Sequence, residues 1–468
     1  MRAKTVQQCK ILIACFVINL LYGAVGRLSS IFFVESIVYY NVDRKMASLP
    51  YTLVFMVRGV CGPFIGYLEQ IFGMKSLIIL GNLLGTISIG ICFFTEDILI
   101  VILCYGILLG ISFSVSTQFL PLIINTYFSK NRNKMNGISF AGACVGGIIF
   151  PQLMKFFIDN YSISGCFLIF SAIMAHSLPA SLLLQNPRDK KKNINVEKKN
   201  IKQLENIKPP SSTINFVESE IDERQIDVTK KSSVFTLYEP KKLKLTELNG
   251  VPNPDENSGK IAKKNNFTFK NFKIFVDPVF ITMLITNAGS AFAMTTLWTI
   301  ILDFVRDKDV PVNLEIYYVM LLPIADLVAR IASGFVIDKK ILKSPNLTTI
   351  CFIGQALTLT GMLFSNNYIL LMFVEFLFPI FSGSIMILQI ALVQEYIETS
   401  KKTMAMVCRG LLYAPLNLTT APMIGYFRGS GGSYDGVFYT LAAMSIFCGI
   451  LTFFIPRLAN RGKMSTKL

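Results

Sequence analysis

The sequence predicts an all-α membrane protein of twelve transmembrane helices in two six-helix halves. Three observations predict it: an apolar composition, twelve long apolar runs, and a polar stretch that divides those runs evenly. Hydrophobic residues make up 52% of the 468-residue chain, and the mean hydropathy is +0.53. An apolar run of roughly 18 residues or more is long enough to cross the hydrocarbon core as a helix. The runs are continuous, without strict alternation, which favours helices over a β-barrel.

In the first half the expected spans are 11–34, 46–68, 76–95, 99–121, 135–158 and 163–184. In the second they are 274–301, 316–338, 346–364, 367–394, 403–426 and 434–456. The stretch between the halves is rich in Lys, Glu, Asn and Ser, and "KPPSS" and "NGVPNPDENSG" break it. That composition predicts a disordered basic linker. The expected organisation is an N-terminal segment 1–10, a six-helix bundle 11–185, the linker 186–271, a second bundle 272–457 and a tail 458–468.

The formal net charge is +16, and its placement reports topology. Lys and Arg gather in "MRAKTVQQCK", "SKNRNK", the linker, "DKKILK", "SKK" and "RLANRGKMSTKL". These segments fall on one side of a twelve-span bundle. The positive-inside bias then puts both termini and the linker in the cytoplasm. The opposite loops, "TED", "DNYS" and "SNN", carry little base, with the mixed "VRDKDV" as an exception. No nucleic-acid partner is expected, and the expected setting is a lipid bilayer, that of the plasma membrane. The first run is too long for a cleavable signal and is expected to stay as a span.

Ten cysteines stand singly, and the one histidine, His176, lies inside the sixth run. That pattern predicts no metal site, disulfide or cofactor. His176 is expected to be a packed or interfacial polar residue. No nucleophile cluster or phosphate loop points to an enzyme.

A weak repeat links the halves. "GPFIGYLEQIFGMK" follows the second span and "ASGFVIDKKILK" ends the eighth; each has a small residue, an aromatic, an acid and a basic turn. Two six-helix halves joined by a polar loop describe the major facilitator architecture, in which substrate binds near the midplane between rocking halves. In "NGISFAGACVGG", Gly137, Ala141, Gly142 and Gly146 form a small-residue face that lets helix backbones approach. The lone Trp298 is expected to pack or to sit at an interface.

An ionised side chain inside a span costs about 2.5–3.5 kcal/mol on insertion scales, so such residues are functional candidates. They are Arg27, Arg58, Asp326, Arg330 and Glu375; Arg409 lies nearer a span end and is expected to snorkel. Asp326 and Arg330 stand at i and i+4, so they share a helix face and can pair. One reading is a static salt bridge that neutralises two charges. The other is a switchable pair, in which an incoming carboxylate competes for the planar fork of Arg330. Arg27 is either part of a site or snorkels to the outer interface.

Several of these segments resemble the animal monocarboxylate transporter family. "ADLVAR" in the eighth span resembles that family's Asp-x-x-x-Arg motif, and "YFSKNRNKMNGISFAG" resembles its fifth-helix motif. "GPFIGYLEQIFG", "YSISGCFLIFSAIM" and "FVDPVFITMLITNAG", which includes Asn287, also fit its pattern. The resemblance covers both halves and leaves out only the linker. It implies a secondary transporter that carries a small monocarboxylate such as lactate or pyruvate, with a proton, by alternating access. Arg330 would bind the substrate carboxylate and Asp326 would be its protonatable partner. Arg27 falls where classical members have a lysine that takes part in substrate and proton binding, and Asn287 joins the substrate-binding set. Some members travel with a single-span immunoglobulin-type glycoprotein, which makes such a chaperone a candidate partner.

The chain also departs from the pattern. "VQQCKILI" stands where the family has an Asp-Gly-Gly-Trp-Gly-Trp-like motif. Arginine at position 27 keeps its proton, so a proton would travel through Asp326 or Glu375. Arg58 and Glu375, secondary site candidates, stand where apolar residues are expected. They pair with each other, or Arg58 adds positive charge to the cavity and favours a more anionic or bulkier acid. Two alternatives stay open: a facilitator of an amino-acid-like or aromatic acid without proton coupling, and a sensor that binds its solute without turnover.

Overall fold

A computed structural model of the protein describes residues 2–128, 130–184, 273–308 and 310–465. The linker expected over 186–271 lies outside the described residues. Nine helices among the described residues are long and apolar enough to cross a membrane, or ten if one bent pair counts as a single span. Two further spans complete the expected twelve, and each is hidden for a physical reason.

The first hidden span lies inside a single 51-residue helical stretch, Arg132–Leu182. Its regularity breaks at Ser162, where φ is 60° and ψ is 176°. That residue falls between the expected fifth and sixth spans, so the stretch is two helices turning at one point. The other hidden span is the eleventh. It is divided into Lys402–Cys408, Tyr413–Asn417 and Thr420–Gly431. Pro415 and Pro422 have no amide hydrogen to give to the carbonyls of Leu411 and Leu418. Hydropathy reads straight across such breaks, because the residues remain apolar.

The other spans follow the expected order. The first helix runs Arg2–Tyr39, several residues beyond its apolar run at each end. The second is Arg44–Val60 followed by Gly62–Phe72, with a bend of 58° between the transmembrane portions. Pro63 causes the bend by removing a backbone bond, and Gly62 uses it to lie against the Val407 carbonyl. The third and fourth are Met74–Phe94 and Ile98–Tyr127; the fourth widens into a π-helix over Ile102–Leu108. The seventh, Pro278–Asp307, is capped by Asp277, whose carboxylate accepts the Val279 N–H at 3.0 Å. Then come the eighth (Val312–Asp338), ninth (Ser344–Phe364), tenth (Tyr368–Tyr396) and twelfth (Asp435–Ser465).

Close packing uses the small residues. Gly142 and Gly146 of the fifth helix lie against the carbonyls of Phe16 and Leu20 in the first, where a β-carbon would collide. Gly137 faces elsewhere: it abuts the Arg330 carbonyl in the other half. The small-residue face therefore serves packing within a half and contact between halves.

The halves meet closely at the basic end, where the loops after the fourth and eighth spans lie. Gly62 and Gly66 face Val407 and Met404, and Gly334 faces Asn133. Asp338 accepts the backbone N–H groups of Lys134 at 2.7 Å and Asn133 at 3.3 Å, and the Asn133 side-chain amide at 2.9 Å. The start of the fifth helix presents its positive dipole end there, so an anion is stabilised. Asp338 is the acid of the repeated segment that ends the eighth span. It latches that span to the opposite half.

Candidate substrate-binding site

The helical spacing of Asp326 and Arg330 becomes a two-pronged ion pair. Arg330 Nε donates to Asp326 Oδ1 and Nη2 donates to Oδ2, both at 2.7 Å. The residues are 1% and 4% exposed, so water does not compete with these charge-assisted bonds. The first half supplies the next contacts. Cys144 Sγ donates to Asp326 Oδ2 at 3.4 Å, and Arg330 Nη1 donates to the Phe140 carbonyl at 3.4 Å. On the tenth helix, Gly383 leaves room for Asp326 Oδ1, which a β-carbon would meet. The pair is thus held where the fifth, eighth and tenth helices converge.

Arg27 does not snorkel. Its guanidinium carbon stands 3.2 Å from the ring centroid of Trp298, in the seventh helix of the other half. Tryptophan is the ring that best holds a cation. Gly147 gives the arginine stem its space: a β-carbon there would lie 3.0 Å from Arg27 Cγ. Asp326 and Arg330 are close enough for Arg27 to feel their charges. Trp298, expected only to pack, is the surface that fixes Arg27.

Arg409 does not snorkel either, because the eleventh helix breaks where it stands. Its carbonyl, outside the regular ladder, accepts the Asn287 side-chain amide at 2.9 Å. Its guanidinium carbon lies 5.9 Å from the Phe140 ring centroid, as does that of Arg330. Asn287, expected on the substrate, therefore has its amide nitrogen occupied by the backbone of Arg409. Arg58 sits just before the bend in the second span. Its guanidinium carbon is 4.1 Å from the Phe113 ring centroid. Its carbonyl accepts Ser114 Oγ at 2.8 Å and Gln118 Nε2 at 2.9 Å.

Glu375 corrects one expectation. It does not pair with Arg58. It is fully buried in the tenth helix, and neither carboxyl oxygen has a hydrogen-bond partner among the described residues. Its electrostatic neighbour is Tyr318 of the eighth helix, whose hydroxyl donates to the Tyr368 carbonyl at 2.7 Å. Along the tenth helix Glu375 lies two turns, or about 12 Å at 1.5 Å per residue, from Gly383 and away from the basic end. Arg58 instead faces the eleventh helix. His176 is exposed, with Nδ1 3.1 Å from the Ala172 carbonyl, outside this cluster.

Cys144, Phe140, Trp298 and Gly383 complete the site without having been expected in it. Only Cys144 carried a signal, standing two turns after Gly137 within the small-residue face. Chemically, the arrangement offers one carboxylate and several fixed guanidiniums at the junction of two halves. That suits reversible capture of an anion.

Comparison with known proteins agrees with this architecture. Residues 15–407 match the family profile of the Major Facilitator Superfamily. Monocarboxylate transporter 12 of Mus musculus is 22% identical over 458 residues, covering 97% of this chain and 86% of the relative. The Xenopus laevis protein of that name is 22% identical over 446 residues, covering 94% and 87%. Among solved structures, the proton:xylose symporter XylE bound to 6-bromo-6-deoxy-D-glucose is similar in fold, with a TM-score of 0.69 and 10% identity over 96% of each chain. The chain belongs to the Major Facilitator Superfamily, as a divergent relative of its monocarboxylate transporters, and it is a membrane transporter of a small molecule rather than an enzyme.

Proposed function

We propose that the protein carries a small organic acid across the plasma membrane by alternating access, together with a proton. The observation behind this reading is the buried fork between Asp326 and Arg330, touched by groups of both halves. Without substrate, each charge satisfies the other. When Asp326 takes a proton, its hold on Arg330 weakens, and the substrate carboxylate takes over the guanidinium. Arg27, held on Trp298, supplies a second cation near the same point. Release reverses the steps: the acid leaves, Asp326 gives up its proton, and the pair forms again.

The closed basic end supports a direction for the site. With both termini in the cytoplasm, this state faces outward. Turning inward requires Asp338 to leave the start of the fifth helix and Gly137 to part from Arg330. The names of the relatives, monocarboxylate transporters, support a carboxylate on the cargo. A single-span immunoglobulin-type glycoprotein is the kind of chaperone such a carrier would use.

The test is uptake of labelled lactate, pyruvate, a larger aromatic acid and a dicarboxylate into proteoliposomes at two external pH values. Saturable uptake of at least one acid, faster at the lower external pH, is expected. Equal rates at both values contradict proton coupling. Binding without saturable flux contradicts transport of these acids.

A further inference from the structure

We propose that the transported acid carries a second anionic group, and that Arg58 and Arg409 form the subsite that receives it. This assignment rests on the carboxylate reading of Arg330 and adds a second point of attachment.

Four arginines inside the bundle each meet the opposite half. Arg27 lies on Trp298, Arg330 reaches the Phe140 carbonyl, and Arg409 stands by the Phe140 ring. Arg58 stands near Tyr413 of the eleventh helix, and Arg409 stands near Arg58. Among the described residues one carboxylate, Asp326, pairs with this group, and both its oxygens are spent on Arg330. Among the described residues no salt bridge reaches Arg58 or Arg409. Arg58 Nε and Arg409 Nη1 are buried and have no acceptor among the described residues. Burying charged donors unpaired is costly, and placing two guanidiniums together adds repulsion. An anion between them removes both costs.

The geometry is built to keep the two arginines together. Each is followed by a glycine, and these glycines bring the backbones into contact. A β-carbon on Gly59 would lie 2.9 Å from the Gly410 carbonyl, and one on Gly410 would lie 4.0 Å from Gly59 Cα. Each arginine also has its carbonyl pinned by an amide of its own half: Gln118 for Arg58 and Asn287 for Arg409. Rigid support of this kind is what a binding site needs and a misplaced charge does not.

Reach sets the ligand class. The guanidinium carbons of Arg330 and Arg409 are each 5.9 Å from one ring centroid, so they stand no further apart than twice that distance. That limit caps the ligand: with a contact of about 2.8 Å at each end, a diacid of no more than roughly six carbons fits. A monoacid would engage Arg330 and leave Arg58 and Arg409 unanswered. The second acid group would also bridge the halves, since Arg58 belongs to one and Arg409 to the other.

The test compares uptake of labelled glutarate and butyrate at low concentration by the full chain in proteoliposomes. The variants are Arg58→Gln, Arg409→Gln and the charge-keeping Arg58→Lys and Arg409→Lys. The wild type should prefer glutarate by about tenfold or more, as one added charge-assisted contact provides. Either glutamine variant should bring the ratio to within about threefold, and the lysine variants should keep most of the preference. Butyrate carried as well as glutarate by the wild type overturns the proposal. So does a preference that survives in both glutamine variants. Chloride stimulation of butyrate uptake, without preference for glutarate, assigns the two arginines to a free inorganic anion and also overturns it. If neither acid enters while lactate, pyruvate or the aromatic acid is carried, this assignment is overturned and the carboxylate reading of Arg330 stands; if none of these acids enters, both fall. Should the glutamine variants not reach the membrane, the wild-type ratio and the lysine variants decide.

Discussion

Replacing Asp326 by asparagine would leave Arg330 as a buried cation facing a neutral amide. The native pair has two bonds of 2.7 Å in a site closed to water. Removing one partner of a buried ion pair costs about 3–5 kcal/mol, mostly because the survivor is uncompensated. The two single changes are not equivalent. A lone aspartic acid can take up a proton and become neutral, whereas a guanidinium cannot usefully lose its own. Asp326→Asn should therefore destabilise the protein more than Arg330→Gln. The double variant removes both charges, so it should cost less than the two single changes together, by about 2 kcal/mol or more. The assay is unfolding of detergent-purified protein for the four members of the cycle. Additive costs, within about 0.5 kcal/mol, would refute the claim that the two groups hold each other.

Three further outcomes follow from named contacts. Gly137→Val would drive a side chain into the Arg330 carbonyl; uptake should fall at least about tenfold at normal membrane levels, and wild-type uptake would show that the halves do not close there. Trp298→Leu removes the ring that fixes Arg27, an interaction of about 0.5–2 kcal/mol, so KM for the acid should rise about 2.3-fold to thirtyfold. A KM within about twofold of wild type contradicts that role for the tryptophan. Asp338→Asn weakens the latch on the fifth helix, and a charge at a helix N-terminus contributes about 0.3–1 kcal/mol. Thiol labelling of Cys144, which is 1% exposed, should become about two- to fivefold faster in that variant; an unchanged rate says the latch does not govern closure.

What the sequence made legible follows from what repeats along one helix. Apolar length marked the spans, and the i, i+4 spacing of Asp326 and Arg330 put them on one face, because both signals are local. Breaks were harder. The eleventh span stays apolar across Gly410, Pro415 and Pro422, so its division into short helices is invisible to hydropathy. That break turns Arg409 from an expected snorkelling residue into a neighbour of Arg58. Contacts between distant helices were illegible for the same reason. Nothing near Arg27 says that Trp298 will hold it, and nothing near Asn287 says that its amide will hold the Arg409 carbonyl. The expected Arg58–Glu375 pair matched opposite charges by sign alone. Glu375 instead lies at another depth, beside Tyr318.

The central claim is that Arg330 binds the substrate carboxylate and Asp326 carries the proton. It is tested most directly by acid uptake into proteoliposomes at two external pH values, for wild type, Arg330→Ala and Asp326→Asn. Arg330→Ala should abolish uptake while the protein still inserts, and Asp326→Asn should remove the dependence on external pH. Wild-type-like uptake by Arg330→Ala, or a full pH dependence in Asp326→Asn, would contradict it.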